Sequence, residues 1–236
     1  MSDAATGGAE RNPPDDLLSA HPETAYFWGR VAGDGDLTSE RIRVRAAEES
    51  VARRLAAIAG DDGRVAGERT VERPYAHDAS LTRVEDEYTV EVFGGAADRA
   101  AAAFGLPIDG TDGGYRLDAL ADNDRQLLRG LLEAAGTVCF RESKGKVGVS
   151  FVHDDRALLE WVREALAANG FESDDLSETS SGGYWFGVDD DDTAAFGEWV
   201  YEGSDDTGLY ADERRTKLLR SIERAAQVSA STAEGE

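Results

Sequence analysis

Residues 26–37 read YFWGRVAGDGDL and residues 127–138 read LLRGLLEAAGTV, and these two stretches decide the fold. Aligning Gly29 with Gly130 also aligns Gly35 with Gly136 without a gap. Each stretch is an apolar, helix-like run that ends in glycine and leads into a β-rich segment. The alignment therefore predicts an internal duplication, in which Asp34 of the first copy corresponds to Ala135 of the second.

The elements that follow each stretch occur in the same order. In the first copy, hydrophobic periodicity predicts strands in 37–47, a helix over 48–59, strands over 64–76 and 81–93, and a helix over 95–104. In the second copy it predicts a helix over 117–135, strands over 137–142 and 146–152, a helix over 155–168, two short strands in 172–188 and a helix over 192–202. A further helix is predicted over 209–225. The sequence thus predicts an α+β fold of two pseudo-symmetric αββαββα halves.

Composition sets the expected boundaries of these halves. The ends of the chain are small and polar, and a glycine-rich stretch lies between the two copies, as is typical of tails and linkers. We expect a disordered tail over 1–20, a first repeat over 21–105, a linker over 106–116, a second repeat with its C-terminal helix over 117–225, and a disordered tail over 226–236.

The chain is strongly acidic, with 48 acidic and 25 basic side chains and a formal net charge of −23. This composition, poor in lysine and methionine, is typical of soluble proteins from salt-loving archaea, so we ascribe the acidity to habitat rather than to a cationic partner. At molar salt the Debye length is about 3 Å, and net charge then acts only at contact range. The acidity therefore does not exclude binding to nucleic acid.

Cysteine and hydropathy patterns exclude several other classes. The single cysteine, Cys139, allows neither an internal disulfide nor a cysteine-based zinc site. The first residues lack the apolar core of a signal peptide, and no apolar run approaches the roughly 18 residues of a membrane span. We expect a soluble, cytoplasmic protein without a membrane partner, with Trp161, Trp185 and Trp199 in its core.

The two motifs and the αββαββα order resemble the LAGLIDADG family of homing endonucleases in its single-chain, two-repeat form. The matching residues are 27–35 and 128–136, and the aromatic and basic segment 209–217 resembles the ending common in the family. The resemblance implies a monomer with an internal pseudo-twofold axis, motif helices packed at the interface, and antiparallel sheets that form a saddle over double-stranded DNA. Gly29, Gly33, Gly130 and Ala134 are small residues one helical turn apart, as close packing of those helices requires.

The resemblance also assigns a metal site to the ends of the motif helices. In the family, the last acid of each motif lies over the centre of the DNA, and the two carboxylates share divalent metals that cleave the phosphodiester bond. Asp34 matches this position, which implies a catalytic and metal-binding role with Mg²⁺ as the cofactor if the chain is catalytic, and no cofactor otherwise. Ala135 cannot bind a cation. Glu133 lies about 200° away around the helix and does not replace it.

The resemblance places DNA contacts on the concave face of the sheets, and the basic residues are distributed accordingly. Ten of the 25 basic residues fall in 41–45, 64–83 and 141–146. The candidate DNA-binding residues are Arg41, Arg43, Arg45, Arg69, Arg73, Arg141, Lys144 and Lys146. Such side chains contact phosphates, and arginine also reads guanine. The alternative is a salt-bridged, solvated face, because Glu85, Asp86, Glu87 and Glu91 lie in the same predicted sheet.

Three functions remain open at this point. The first is a DNA-binding protein derived from a homing endonuclease, with cleavage impaired or lost and a regulatory or housekeeping role. The second is a Mg²⁺-dependent DNA endonuclease or nickase that still uses Asp34. The third is an interaction or ligand-binding module that no longer binds DNA.

Overall fold

The computed structural model describes residues 14, 16–75, 78–180 and 182–233, except for the side chains of 72–75, 78–83, 85, 232 and 233. The helices are α1 (Pro22–Asp34), α2 (Glu49–Ile58), α3 (Ala96–Phe104), α4 (Asp124–Ala135), α5 (Arg156–Ala168), α6 (Thr193–Tyr201), α7 (Ser204–Thr207) and α8 (Asp212–Ala233). The strands are β1 (Gly35–Thr38), β2 (Arg41–Ala46), β3 (Gly63–Tyr75), β4 (Asp78–Phe93), β5 (Gly136–Arg141), β6 (Lys146–His153), β7 (Ser177–Glu178) and β8 (Tyr184–Gly187). Most of the expected N-terminal tail lies outside the described residues.

The order of these elements confirms the predicted fold class. The strands form two antiparallel four-stranded sheets with the orders β1-β2-β4-β3 and β5-β6-β8-β7, so each half repeats the connectivity of the other. The start of the second motif helix differs from the prediction, since Leu117–Asn123 is a 3₁₀ segment and α4 begins only at Asp124. Three of the seven residues in that segment are aspartate or asparagine, which have low helix propensity. Helix α8 continues to Ala233, so the tail expected over 226–236 is helical over 226–233, where alanines favour helix.

The alternation of apolar and charged residues gives β2 two different faces. Ile42 and Val44 are fully buried, while Arg41, Arg43 and Arg45 are half-buried on the opposite side. Successive residues of a strand point to opposite faces, so the arginines share one face of the sheet. The first sheet therefore has a core side and a charged side, as the sequence predicts.

Helices α1 and α4 pack directly against each other through small residues. A methyl group on Gly29 would collide with the carbonyl oxygen of Leu127, and one on Gly130 would collide with that of Tyr26. A methyl group on Gly33 would lie 2.6 Å from the Cβ atom of Ala134. The two backbones thus meet with no room for side chains between them, which explains why glycine is kept inside both helices at a cost of about 1 kcal/mol each.

The two halves differ in their second hairpin. Strands β3 and β4 have 13 and 16 residues, whereas β7 and β8 have 2 and 4. Strand β4 pairs with β2 only over Tyr88–Phe93, and its remaining paired residues contact β3 alone. The first half therefore carries a long two-stranded arm. In the described ranges, no helix is long and apolar enough to cross a bilayer.

Candidate nucleic-acid interface

Each sheet has one face covered by helices and one face without that cover, which we call the open face. In the first sheet Val44, Val90 and Val92 are buried against the core, so their neighbours Arg43 and Glu91 lie on the open face. In the second sheet Val149 and Phe151 are buried, and Ser150 lies between them on the open face. Because directly opposed residues of antiparallel strands share a face, the register assigns every strand position to one face or the other.

Glu91 lies at the centre of a group of arginines on the first open face. Its Oε1 atom is 2.9 Å from Arg41 Nη1 and 3.3 Å from Arg43 Nη2, and its Oε2 atom is 3.3 Å from Arg64 Nη2. Burial favours the neutral carboxyl, but the guanidinium groups of Arg64, Arg43 and Arg41 outweigh this effect and lower the pKa of Glu91. We call these four residues the Glu91 cluster.

Asp34 lies at the foot of α1 and forms an ion pair with Arg45. Arg45 Nη1 is 2.9 Å from Asp34 Oδ1, and the two side chains are 36% and 40% exposed. Partial burial raises the pKa of the Asp34 carboxyl, while the guanidinium groups of Arg45 and Arg30 oppose the rise. The acid assigned to metal binding is thus held by a cation of the chain itself.

The donor set at the foot of the motif helices does not fit a pair of divalent metals. Ala135 lies beside α1, with its Cβ atom 3.4 Å from where a Cβ atom on Gly33 would be, and offers only a methyl group. Two metals need several oxygen ligands, and Asp34 is the one acid of the two motif positions. Within the described part of the chain, no group of three acidic, histidine or cysteine side chains could hold a metal.

Glu133, the other acid near the second motif, points away from this foot and into the protein. Its oxygens accept hydrogen bonds from Tyr26 Oη at 2.6 Å, Tyr201 Oη at 3.2 Å and the backbone N–H of Ala211 at 2.8 Å, and Arg30 Nη1 lies 3.7 Å away. Burial raises its pKa. The prediction that Glu133 does not replace the missing motif acid is confirmed, and its role is to connect α1, α4, α6 and the start of α8.

The other predicted basic residues are also paired with acids. Arg69 Nε donates to Glu87 Oε1 at 2.8 Å in the first half. In the second half Arg141 and Lys144 contact Asp190 and Lys146 Nζ lies 2.8 Å from Asp191 Oδ1. For Arg73 the structure describes a strand position opposite Arg83 but no side chain. All seven candidate DNA-binding side chains that are described therefore have a carboxylate partner, which agrees with the salt-bridged alternative.

The strand registers show which residues of the second half correspond to the arginines. Gly35 pairs with Val44, and its counterpart Gly136 pairs with Phe151. Counting outward from these pairs gives the equivalents on the open face: Gly148 for Arg41, Ser150 for Arg43, Val152 for Arg45, Trp185 for Thr89 and Gly187 for Glu91. The second open face is thus small or apolar at the positions where the first is charged.

Trp185 corrects one of the core assignments. It is 39% exposed and pairs with Val152, which is 43% exposed, whereas Trp161 is buried. The sequence YWF at 184–186 contains three consecutive aromatic residues, so composition cannot decide which of them faces the core. Phe186 does so, and Trp185 lies on the open face.

Sequence reasoning missed Glu91 as an organising group and Arg64 as its partner. Arg64 pairs with Glu91 and Arg69 pairs with Glu87, although 64 and 69 have opposite parity. A register shift between Val65 and Gly67 places both arginines on the same face. In the sequence, only the position of Arg64 within the basic stretch 64–83 indicated a role in DNA binding. Because of the bulge, a period-two pattern cannot predict which face of the sheet Arg64 occupies.

Comparison with known proteins identifies the fold. Residues 1–228 match the family model LAGLIDADG_4, described as "Putative archaeal homing endonuclease". The homing endonuclease I-WcaI, solved bound to its DNA recognition sequence, superposes with a TM-score of 0.57 at 11% identity over 89% of this chain and 95% of that one. Full-length DUF199/WhiA from Thermatoga maritima superposes with a TM-score of 0.52 at 12% identity over 95% and 71%. No curated protein sequence matches the chain.

Proposed function

The chain belongs to the LAGLIDADG_4 family, and from that premise we propose that it is a double-stranded-DNA-binding protein whose double-strand cleavage is lost or impaired. A regulatory or housekeeping role on DNA follows from binding without cutting. We assign the contacts to the open faces, with Arg41, Arg43, Arg45, Arg69, Arg73, Arg141, Lys144 and Lys146 as the basic residues that reach the duplex.

One observation carries the loss of cleavage. The packing positions of both motif helices are kept, as Gly29 lies against Gly130, while Ala135 replaces one motif acid and Arg45 is paired with the other. Two-metal cleavage needs carboxylates from both motifs. A fold that keeps its helix contact but has only one motif acid, itself paired with an arginine, is suited to bind DNA rather than to cut it.

The basic residues on the open faces support DNA as the partner. On the first face, carboxylates of the sheet such as Glu87 and Glu91 hold them in place. The side chains of Arg41, Arg43 and Arg45 are nevertheless 37%, 31% and 36% exposed, so a duplex can reach them. Each guanidinium has five N–H donors, so the donors that do not meet a carboxylate can bind a phosphate. Homing endonuclease I-WcaI, which has this fold, was solved with its DNA recognition sequence.

The experiment combines a selection for bound duplexes with a cleavage assay. A random duplex library is passed over the protein at several KCl concentrations, and retained sequences are incubated with Mg²⁺ or Mn²⁺ on supercoiled plasmid. We expect enriched sequences, weakened by Arg43→Glu, and no nicking or linearisation. Arg53→Glu is the matched control, since Arg53 pairs with Glu49 on α2 rather than on the open face.

A metal-dependent nickase that uses Asp34 is the second candidate. The Asp34 side chain keeps 40% of its surface exposed, and its ion pair with Arg45 is accessible to solvent. Nicking of supercoiled plasmid with Mg²⁺ that disappears in Asp34→Ala would decide for this candidate. A library in which no duplex is retained at any salt concentration would instead favour an interaction or ligand-binding module.

The remaining assignments follow from the same proposal. We propose a monomer with an internal pseudo-twofold axis, made of repeats at 21–105 and 117–225. We also propose a cytoplasmic location, where a DNA-binding protein of this kind would meet its partner. Mg²⁺ is its cofactor only if the second candidate holds.

A further inference from the structure

We propose that the Glu91 cluster is a preorganised clamp for one backbone phosphate of a bound duplex, with Arg64 as a phosphate-contacting residue and Glu91 as the residue that positions the three guanidinium groups. The inference rests on the proposed DNA-binding function. It adds Arg64 and Glu91 to the site, and it assigns phosphate anchoring by this cluster to the first half alone.

The geometry of the cluster favours a clamp over a chance surface pair. Three guanidinium groups from two strands, β2 and β3, converge on a single carboxylate from the strand between them. An exposed two-residue pair holds its partners weakly, but a carboxylate shared by three arginines restricts all three side chains at once. The guanidinium positions are therefore largely fixed before a ligand arrives.

The carboxylate lies beneath the arginines and leaves their outer sides accessible. The Glu91 side chain is 10% exposed, whereas those of Arg43, Arg41 and Arg64 are 31%, 37% and 64% exposed. Each guanidinium has five N–H donors, and one carboxylate cannot accept them all. Three positive groups around one negative group also leave a net charge of about two. The outer donors and this charge suit the oxygens of a phosphate.

Phe93 contacts the guanidinium group of Arg64. The Cζ atom of Arg64 lies 4.5 Å from the centroid of the Phe93 ring, within the range of a cation–π contact. Phe93 is directly opposite Arg41 in the strand register, so the ring is a neighbour of both arginines. Ring and carboxylate together hold Arg64 from two directions.

The second half lacks this cluster at the equivalent strand positions, all of which the structure describes. The counterparts of Arg41, Arg43 and Glu91 are Gly148, Ser150 and Gly187, which carry neither a guanidinium nor a carboxylate. The open face there presents Val152 and Trp185 at the counterparts of Arg45 and Thr89. The basic residues of this half, Arg141, Lys144 and Lys146, pair with Asp190 and Asp191 beyond the sheet positions of the cluster. A duplex anchored by the cluster would therefore be held in one orientation relative to the two halves.

The number of phosphates contacted can be measured from the dependence of duplex affinity on salt. Each neutralised phosphate contributes about 0.9 to the slope of log K against log salt for duplex DNA. We expect Arg64→Gln to reduce that slope by about one for a duplex from the selected pool, measured by fluorescence anisotropy across a KCl series. Arg53→Gln, which removes an arginine paired on α2, should leave the slope unchanged. An unchanged slope in Arg64→Gln overturns the clamp.

Glu91→Gln tests the positioning role, because it removes the charge but keeps the shape. If Glu91 positions the arginines, the variant should bind the duplex several-fold more weakly, although the protein becomes less acidic. If Glu91 competes with phosphate, the variant should bind more tightly, and the positioning role is then wrong. Circular dichroism and urea unfolding of both variants exclude loss of the fold as the cause.

Pyrophosphate separates failure of the clamp from failure of the proposed function. Titration of the wild-type protein with pyrophosphate in a calorimeter should show binding that Arg64→Gln loses and Arg53→Gln keeps. If pyrophosphate binds in this way but no duplex does, the clamp stands and DNA as its source of phosphate is wrong. If the duplex binds with the same slope in all variants and pyrophosphate binding does not depend on Arg64, the DNA function stands and the clamp is wrong.

Discussion

Arg45 Nη1 lies 2.9 Å from Asp34 Oδ1, and the second half of the molecule lacks both members of this pair. Ala135 is the counterpart of Asp34, and Val152 is the counterpart of Arg45 by strand register. The second half thus carries apolar residues at both positions rather than one charged residue without its partner. This joint replacement indicates that Asp34 and Arg45 act as a unit.

Neutralising Asp34 should therefore strengthen DNA binding. In Asp34→Asn, Arg45 loses its ionic partner and becomes available to phosphate, so we expect duplex affinity at fixed salt to rise about threefold or more. Fluorescence anisotropy with a selected duplex measures the change. Glu40→Gln is the matched control, since Glu40 is an exposed acid in the turn between β1 and β2. Equal effects of the two substitutions would argue for a general charge effect rather than release of Arg45.

Adding a methyl group between the motif helices should destabilise the fold. Gly29→Ala would remove a poor helix former, worth about 1 kcal/mol in an open helix, but the new methyl group meets the carbonyl oxygen of Leu127 in α4. Overpacking of this kind costs about 1–3 kcal/mol, so the free energy of unfolding in urea should fall. Gly114→Ala is the control, because a Cβ atom there has no neighbour within 4 Å.

This helix contact could be predicted from the sequence, and the ion pairs could not. Small residues spaced by four in two matched apolar runs, Gly29 and Gly33 in one and Gly130 and Ala134 in the other, have few uses other than close backbone contact. By contrast, the partner of a charged strand residue depends on register, and the bulge between Val65 and Gly67 moves Arg64 onto the face of Arg69. A one-residue shift reverses every side chain that follows, and no periodic pattern in the sequence records it.

The pairing of charged residues could likewise be predicted only in part from the sequence. The alternation in 41–45 correctly places three arginines on one face, because Ile42 and Val44 must be buried. Their shared partner, Glu91, is distant in sequence and looks the same as its acidic neighbours in β4. It contacts three arginines because β4 lies between β2 and β3 in the sheet. The acidic composition predicts that partners exist, and the fold decides which acids they are.

Glu133 should make stability depend on pH with an unusual sign. Burial raises its folded-state pKa above the unfolded value near 4.3, against the opposing charge of Arg30, so the folded protein holds this proton more tightly. The contribution of this group is therefore most favourable below that value and is lost as pH rises through the folded pKa. Glu133→Gln cannot titrate, so we expect its free energy of unfolding to fall less than that of the wild type between pH 4.5 and 7. Urea unfolding of both proteins at the two pH values measures the difference.

Two variants check the origin of this pH effect. Glu160→Gln removes an exposed acid paired with Arg156 on α5 and should keep the wild-type pH dependence. Glu91→Gln should have the opposite effect on the acid side, because the arginines lower the pKa of Glu91 and its contribution is lost as pH falls. A wild-type dependence in Glu133→Gln would mean that Asp34 or Asp124, whose pKa values burial also raises, dominates instead.

Restoring the second motif acid should create a metal site that the natural sequence lacks. In Ala135→Asp a second carboxylate enters at the foot of α4, beside α1 and Asp34, and repulsion between the two should lower stability by about 1 kcal/mol at low salt. A divalent cation that binds only the folded protein recovers that stability by mass action. We expect Mn²⁺ to raise the melting temperature of Ala135→Asp, but not that of Ala135→Asn, which adds the same bulk without charge. If Mn²⁺ stabilises the wild-type protein equally, Asp34 already binds a cation despite Arg45. That result would favour the metal-dependent nickase over the DNA-binding protein without cleavage.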